Sequence, residues 1–165
     1  AWSVLLYYVS PEEIVSGVGA ENVYWVIFLV AAFSGVSSFT STPYYFGVAT
    51  LAAGGSNLLL LAIATASGMA IGDTFYYFFG KHGSKVLPEK ISGRVKKIEK
   101  WMSKRSNSIK FLVIYLYSGF TPFPGDLLAI FLGATKTTYK MMLVPMFLGH
   151  ATLMILVGLL GEKLL

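Results

Sequence analysis

The chain has no cysteine, which excludes disulfide bridges and thiolate metal sites and leaves its redox compartment unmarked. Acids and guanidinium groups are scarce. There are two aspartates, Asp73 and Asp126, and two arginines, Arg94 and Arg105. Also missing are a Gly-x-Ser-x-Gly elbow, a Walker loop and any His/Glu/Cys set at metal-binding spacing. Nothing here points to an enzyme, and neither a cofactor nor a metal is expected. No basic-then-apolar-then-small run opens the chain, so no cleavable signal is read and the first apolar segment would direct targeting.

Apolar residues fill the space these absences leave. At 55% hydrophobic, 13% charged and a mean hydropathy of +0.66, the composition is far from that of a soluble domain. The stretch from Val23 to Ala53 carries no charge at all, so a helix there has no polar face for water. Segments near 20 residues are long enough to span about 30 Å of hydrocarbon. The expectation is one all-α integral membrane domain over residues 1–165.

The formal charge of +5 is concentrated. Ten of the thirteen Lys and Arg residues lie between Lys81 and Lys110, against Glu89 and Glu99 alone. Between apolar segments such a block marks a loop held on the cytoplasmic side, with no nucleic-acid partner implied. Within it, Val95, Ile98, Trp101 and Met102 alternate at helical spacing with Lys96, Lys97, Lys100 and Lys104, as in an amphipathic helix on anionic lipid.

Two halves flank that block, at 22–80 and 111–161. In the first, 22–39 reads as a membrane helix with a hydroxyl-rich end (Ser37, Ser38, Thr40, Ser41, Thr42) before Pro43. A short apolar arm, 44–53, runs to a Gly54-Gly55 turn, and 58–79 spans fully. In the second, 111–120 is a short arm broken by Thr121-Pro122-Phe123-Pro124-Gly125-Asp126. Residues 127–134 form another short arm, Thr135-Lys136-Thr137-Thr138 a polar turn, and 141–160 a full span. Thr42-Pro43 precedes Gly54 by the same interval as Thr121-Pro122 precedes Gly133. Matched, interrupted hydrophobic segments in two halves are the pattern of a transporter with inverted repeats and a site near the midplane. Each repeat is expected to be a re-entrant helical hairpin plus one transmembrane helix.

The prolines remove backbone donors, and the groups they leave must be met within the protein or by water. Asp126 follows the second break and is expected either to carry a charge or proton there or to cap a helix beginning at Leu127. Asp73 lies in Gly68-x-x-x-Gly72-Asp73-x-x-Tyr76, whose glycines favour close helix approach. Asp73 is expected either to be tied to a neighbouring helix or to touch substrate, with Tyr76 in hydrogen-bonding range. His150, the one imidazole at membrane depth, can pair with either aspartate. His82 is expected in the loop.

The run Gly68-x-x-x-Gly72-Asp73-x-x-Tyr76-Tyr77-x-x-Gly80-Lys81-x-Gly83 resembles the signature of the DedA, or VTT-domain, membrane proteins, and Pro122-x-x-Gly125-Asp126 resembles their YqaA-like branch. The likeness covers about Pro43 to Leu160. It implies two inverted repeats with re-entrant hairpins and movement of polyprenyl phosphates or phospholipids between leaflets, coupled in several members to protons. Two departures are visible. Many members carry an acid after the first proline, where Tyr44-Tyr45 stands here. Many also have two arginines around the second break, and both are missing. An anionic headgroup would then have to meet Lys81, Lys110, Lys136, Lys140 or hairpin amides.

The expected function is a multi-pass plasma-membrane lipid transporter, flippase-like or scramblase-like, with membrane lipid as partner and a proton as co-substrate. Its site would be built from Asp126, Asp73, Pro43, Thr121, Pro122, Pro124, Gly125, Tyr76 and His150. Two alternatives stand beside it: a proton-coupled transporter of a small polar or cationic solute, and a non-transporting assembly partner that docks through the basic loop. The small-residue faces also permit a homo-oligomer.

Overall fold

The computed structural model describes residues 9–34, 42–83, 89–121, 125–135 and 137–165. Every regular element among them is α-helical: α1 (Pro11–Val18), α2 (Asn22–Ser34), α3 (Thr42–Ala53), α4 (Leu58–Gly83), α5 (Glu89–Ser103), α6 (Asn107–Phe120), α7 (Gly125–Ala134) and α8 (Tyr139–Leu164). The hydroxyl run Ser37, Ser38, Thr40 and Ser41, the prolines Pro122 and Pro124, and Lys136 lie outside the described residues.

Helix lengths sort these elements. α4 and α8 have 26 residues each and are long and apolar enough to cross a membrane; a rise of 1.5 Å per residue makes each about 39 Å. With 12 and 10 residues, α3 and α7 reach only about 18 and 15 Å, half the hydrocarbon depth. α1 and α2 together are apolar enough for a span but are bent by 97°. Trp25, Phe33, Phe75 and Phe79 stand on the outer surface, each more than 60% exposed. An apolar surface of that kind marks contact with a membrane or a partner.

Local signals set the helix ends. Ser10 Oγ accepts the Glu13 N–H while the Glu13 carboxylate accepts the Ser10 N–H, a capping box that starts α1. Gly55, at φ +84, turns the chain out of α3 in a conformation that side chains disfavour. Asn57 then caps α4 through the Leu60 N–H and donates its own N–H to the Tyr24 hydroxyl at 3.0 Å, fastening the start of α4 to α2. The segment expected as a basic loop is largely helical: α4 runs on through Lys81 and His82, α5 fills the middle, and α6 begins at Asn107. His82 is therefore a helix residue, its Nδ1 2.8 Å from the Phe78 carbonyl.

α4 and α8 cross at the centre and the half-length helices clasp them. α2 packs on α4 and α6 on α8; α3 packs on α8 and α7 on α4. Glycines make each approach close, as packing in lipid requires where no hydrophobic force draws helices together. Gly68 lies against Phe28, Ala31 and Ala32 of α2, and Gly149 against Tyr115, Ser118 and Gly119 of α6. Gly80 lies against Ile130 of α7, and Gly161 against Ala49 of α3. Gly68 and Gly149 are 81 positions apart, as are Gly80 and Gly161, and Ala49 and Ile130.

That interval corrects the sequence pairing. Matching Thr42-Pro43 to Thr121-Pro122 and Gly54 to Gly133 implies an interval of 79 residues. Gly133 is no turn residue: it sits inside α7, packed on Tyr77 and Lys81 of α4. The residue 81 positions before it is Ala52, which faces Gly158 of α8. Gly54 instead lies against Pro11 and Val15 of α1. A glycine that permits helix contact and one that ends a helix look alike in sequence.

Two apolar cores result. One joins Val23, Ile27, Val48, Leu61, Met69 and Met154; the other joins Tyr77, Met102, Ile114, Leu132, Met142 and Met146.

Candidate functional site

Asp73 projects from α4 and His150 from α8 where the two long helices cross. His150 Nε2 is 3.0 Å from Asp73 Oδ2, and both side chains are about 95% buried. With Asp73 in its carboxylate form, which can only accept, the imidazole donates through Nε2. His150 Nδ1 is also buried and has no hydrogen-bond partner among the described residues. In that tautomer Nδ1 presents a lone pair; protonation there would convert the hydrogen bond into an ion pair with Asp73.

A third element closes on the pair. Gly125, the first residue of α7, stands so near that a β-carbon on it would lie 3.2 Å from His150 Cε1 and 3.5 Å from Asp73 Oδ1. The positive end of a helix dipole thus abuts the carboxylate. Gly149 precedes His150 and rests on Ser118 and Gly119, while the buried Ser118 Oγ donates to the Ile114 carbonyl at 3.0 Å. At the next turn Tyr115 and Thr152 hydroxyls are 3.1 Å apart. The crossing is uneven: the positions 81 residues from Asp73 and His150 are Met154 and Met69, both buried in the apolar core.

The other expected site residues fall as follows. Asp126 lies in the first turn of α7, which begins at Gly125, so it is not the cap of a helix starting at Leu127. It is half-buried, engaged by neighbours, and within electrostatic range of Tyr44, Tyr45 and Tyr76. Tyr76 is partly buried on α4. Pro43 occupies the first turn of α3, where a missing N–H is harmless. Thr121 ends α6, its hydroxyl donating to the Tyr117 carbonyl at 2.6 Å. Lys81, Lys110 and Lys140 lie in end turns of α4, α6 and α8, away from the pair. Lys81 Nζ sits 5.9 Å from the Phe78 ring centre.

Tyr44 was not foreseen. It is 5% exposed and within range of both aspartates, with its ring 4.7 Å from that of Tyr45. Its place directly after Pro43, where the resemblance leads one to expect an acid, was the available signal. Together, a carboxylate, an imidazole with a vacant nitrogen and a helix N-terminus form a polar cluster in an otherwise apolar interior.

No family model, no curated protein and no solved structure matches this chain.

Proposed function

We propose that the protein is a membrane lipid transporter of the DedA kind, built from two inverted repeats, in which the Asp73–His150 pair binds and releases a proton as a headgroup passes. One observation carries the reading: a buried carboxylate–imidazole pair at the crossing of two membrane-length helices, abutted by the N-terminus of a half-length helix. Buried ionisable groups inside a bundle mark substrate and proton paths. The inverted arrangement is supported by the recurrence of glycine contacts at an 81-residue interval and by the symmetric clasp of α3 on α8 and α7 on α4. Such folds place broken helices around a midplane site. The positive-inside rule supports a cytoplasmic position for α5 and the opposite face for α1, at the other end of α4.

The test is reconstitution in liposomes bearing a fluorescent lipid, with leaflet exchange followed with and without a pH gradient. Accelerated exchange that Asp73→Asn abolishes supports the reading. Unchanged exchange by folded protein refutes it. A second reading, proton-coupled transport of a small cation, is favoured by the absence of a Lys or Arg salt bridge to Asp73 among the described residues. It requires gradient-driven solute uptake without lipid exchange.

A further inference from the structure

We propose that the cavity roofed by α5 holds part of an acyl chain of an anionic membrane lipid, its headgroup drawn to Lys110 and Arg105. This does not rest on the transport reading. α6 and α7 pack on α8 and α4 rather than extensively on each other, which leaves a gap of about 180 Å³ between them. Its walls are apolar: Trp101 and Met102 of α5, Val113 and Ile114 of α6, Leu128 and Leu132 of α7. An apolar void near 150 Å³ is large enough for benzene, so this one takes about six chain carbons.

Charge selects the occupant. Lys110, half-buried, is the one charged residue lining the cavity among the described residues. The Arg105 guanidinium stands 5.4 Å from the ring centre of Trp101, itself a wall residue. Lys96, Lys97 and Lys100 are exposed on the same roof helix. A matching cavity of about 150 Å³ lies between α1, α2 and α3, lined by residues such as Ile14, Val26 and Leu51 without any charge. Its roof, α1, carries Glu12 and Glu13 and no cation. Two similar apolar slots therefore differ in the sign of the charge above them, and only the α5 slot suits a phosphate at the chain's head.

Trp101 reports directly on the slot. With Trp2→Phe and Trp25→Phe it is the sole indole, and the full chain is placed in phosphatidylcholine bilayers containing an equal small fraction of chain-brominated phosphatidylglycerol or chain-brominated phosphatidylcholine. Brominated phosphatidylglycerol is expected to quench Trp101 more strongly. Lys110→Gln should reduce that preference about fivefold, the worth of one cation near an anionic surface. Val113→Phe and, independently, Leu128→Phe fill the slot from α6 and α7 and should abolish the preference, whereas Val26→Phe in the other slot should leave it intact. Equal quenching by the two lipids overturns the proposal. So does a preference that survives both filling variants, because attraction to the charged surface alone then accounts for it.

Discussion

Replacing Gly80 by alanine puts the close crossing of α4 and α7 to a quantitative test. A β-carbon at Gly80 would fall on the Ile130 carbonyl oxygen and stand 2.8 and 2.9 Å from Ile130 C and Cα, against an ordinary contact near 3.4 Å. Those are backbone atoms and cannot rotate aside, so the helices must part by about an ångström to clear the carbonyl oxygen. Overpacking of this kind costs about 1–3 kcal/mol, and backbone against backbone belongs in the upper half of that range. Alanine returns about 1 kcal/mol of helix propensity. The net loss is about 1–2 kcal/mol, which for a chain of this size lowers Tm by roughly 2–8 °C. Gly93→Ala in α5 is the control: nothing lies within 4 Å of its new carbon, so propensity alone should raise stability by up to about 1 kcal/mol. Gly133→Ala, which presses on Tyr77 from the other side of the same interface, should cost as much as Gly80→Ala. The double variant should cost less than the two together, because helices already parted need not part again. The assay is thermal unfolding in detergent, followed by circular dichroism. A Tm that rises for Gly80→Ala as it does for Gly93→Ala would refute the close crossing.

Asp73→Leu strands the buried His150 donor and should cost about 1–3 kcal/mol in the same assay. Asp73→Met with His150→Met copies the Met69–Met154 side of the crossing and should recover most of that stability while transport stays abolished; recovered transport would remove the pair from the mechanism. Tyr77→Phe deletes the 2.6 Å hydrogen bond to the Thr137 carbonyl and should cost about 1 kcal/mol, read as a lower Tm; an unchanged Tm would mean water replaces it. Because the chain lacks cysteine, Ser16→Cys on α1 and Ser103→Cys on α5 can be labelled one at a time with an impermeant maleimide. The two should react from opposite faces of the vesicle, and labelling from one face would break the inverted arrangement.

Much of the architecture was legible because length and apolarity decide it. Leu58–Gly83 starts where its span was expected and runs four residues further, Tyr139–Leu164 extends its span at both ends, and the spacing of Ile98, Trp101 and Met102 anticipated α5. Gly68 performs the close approach its spacing suggested, though the partner, α2, was not readable from it. The site was half legible. Both aspartates stood out as acids in apolar runs, but nothing local says that Asp73 rather than Asp126 faces His150 across 77 residues. That choice depends on the rotation of α4 against α8, which no short motif in the sequence encodes. The proline breaks recur at 79 residues and the packing glycines at 81, and it is the glycines that keep the interval of the fold.

The lopsided placement of cations has a consequence for how copies enter the bilayer. A duplicated half with evenly spread charge has no preferred way up, and a population of such chains inserts both ways round. Here ten of thirteen Lys and Arg residues sit on one connecting stretch, and dragging them through hydrocarbon is prohibitive. Under the transport reading proposed above, every molecule would thereby be oriented alike, and any difference between its two faces would be shared by the whole population instead of averaging to nothing.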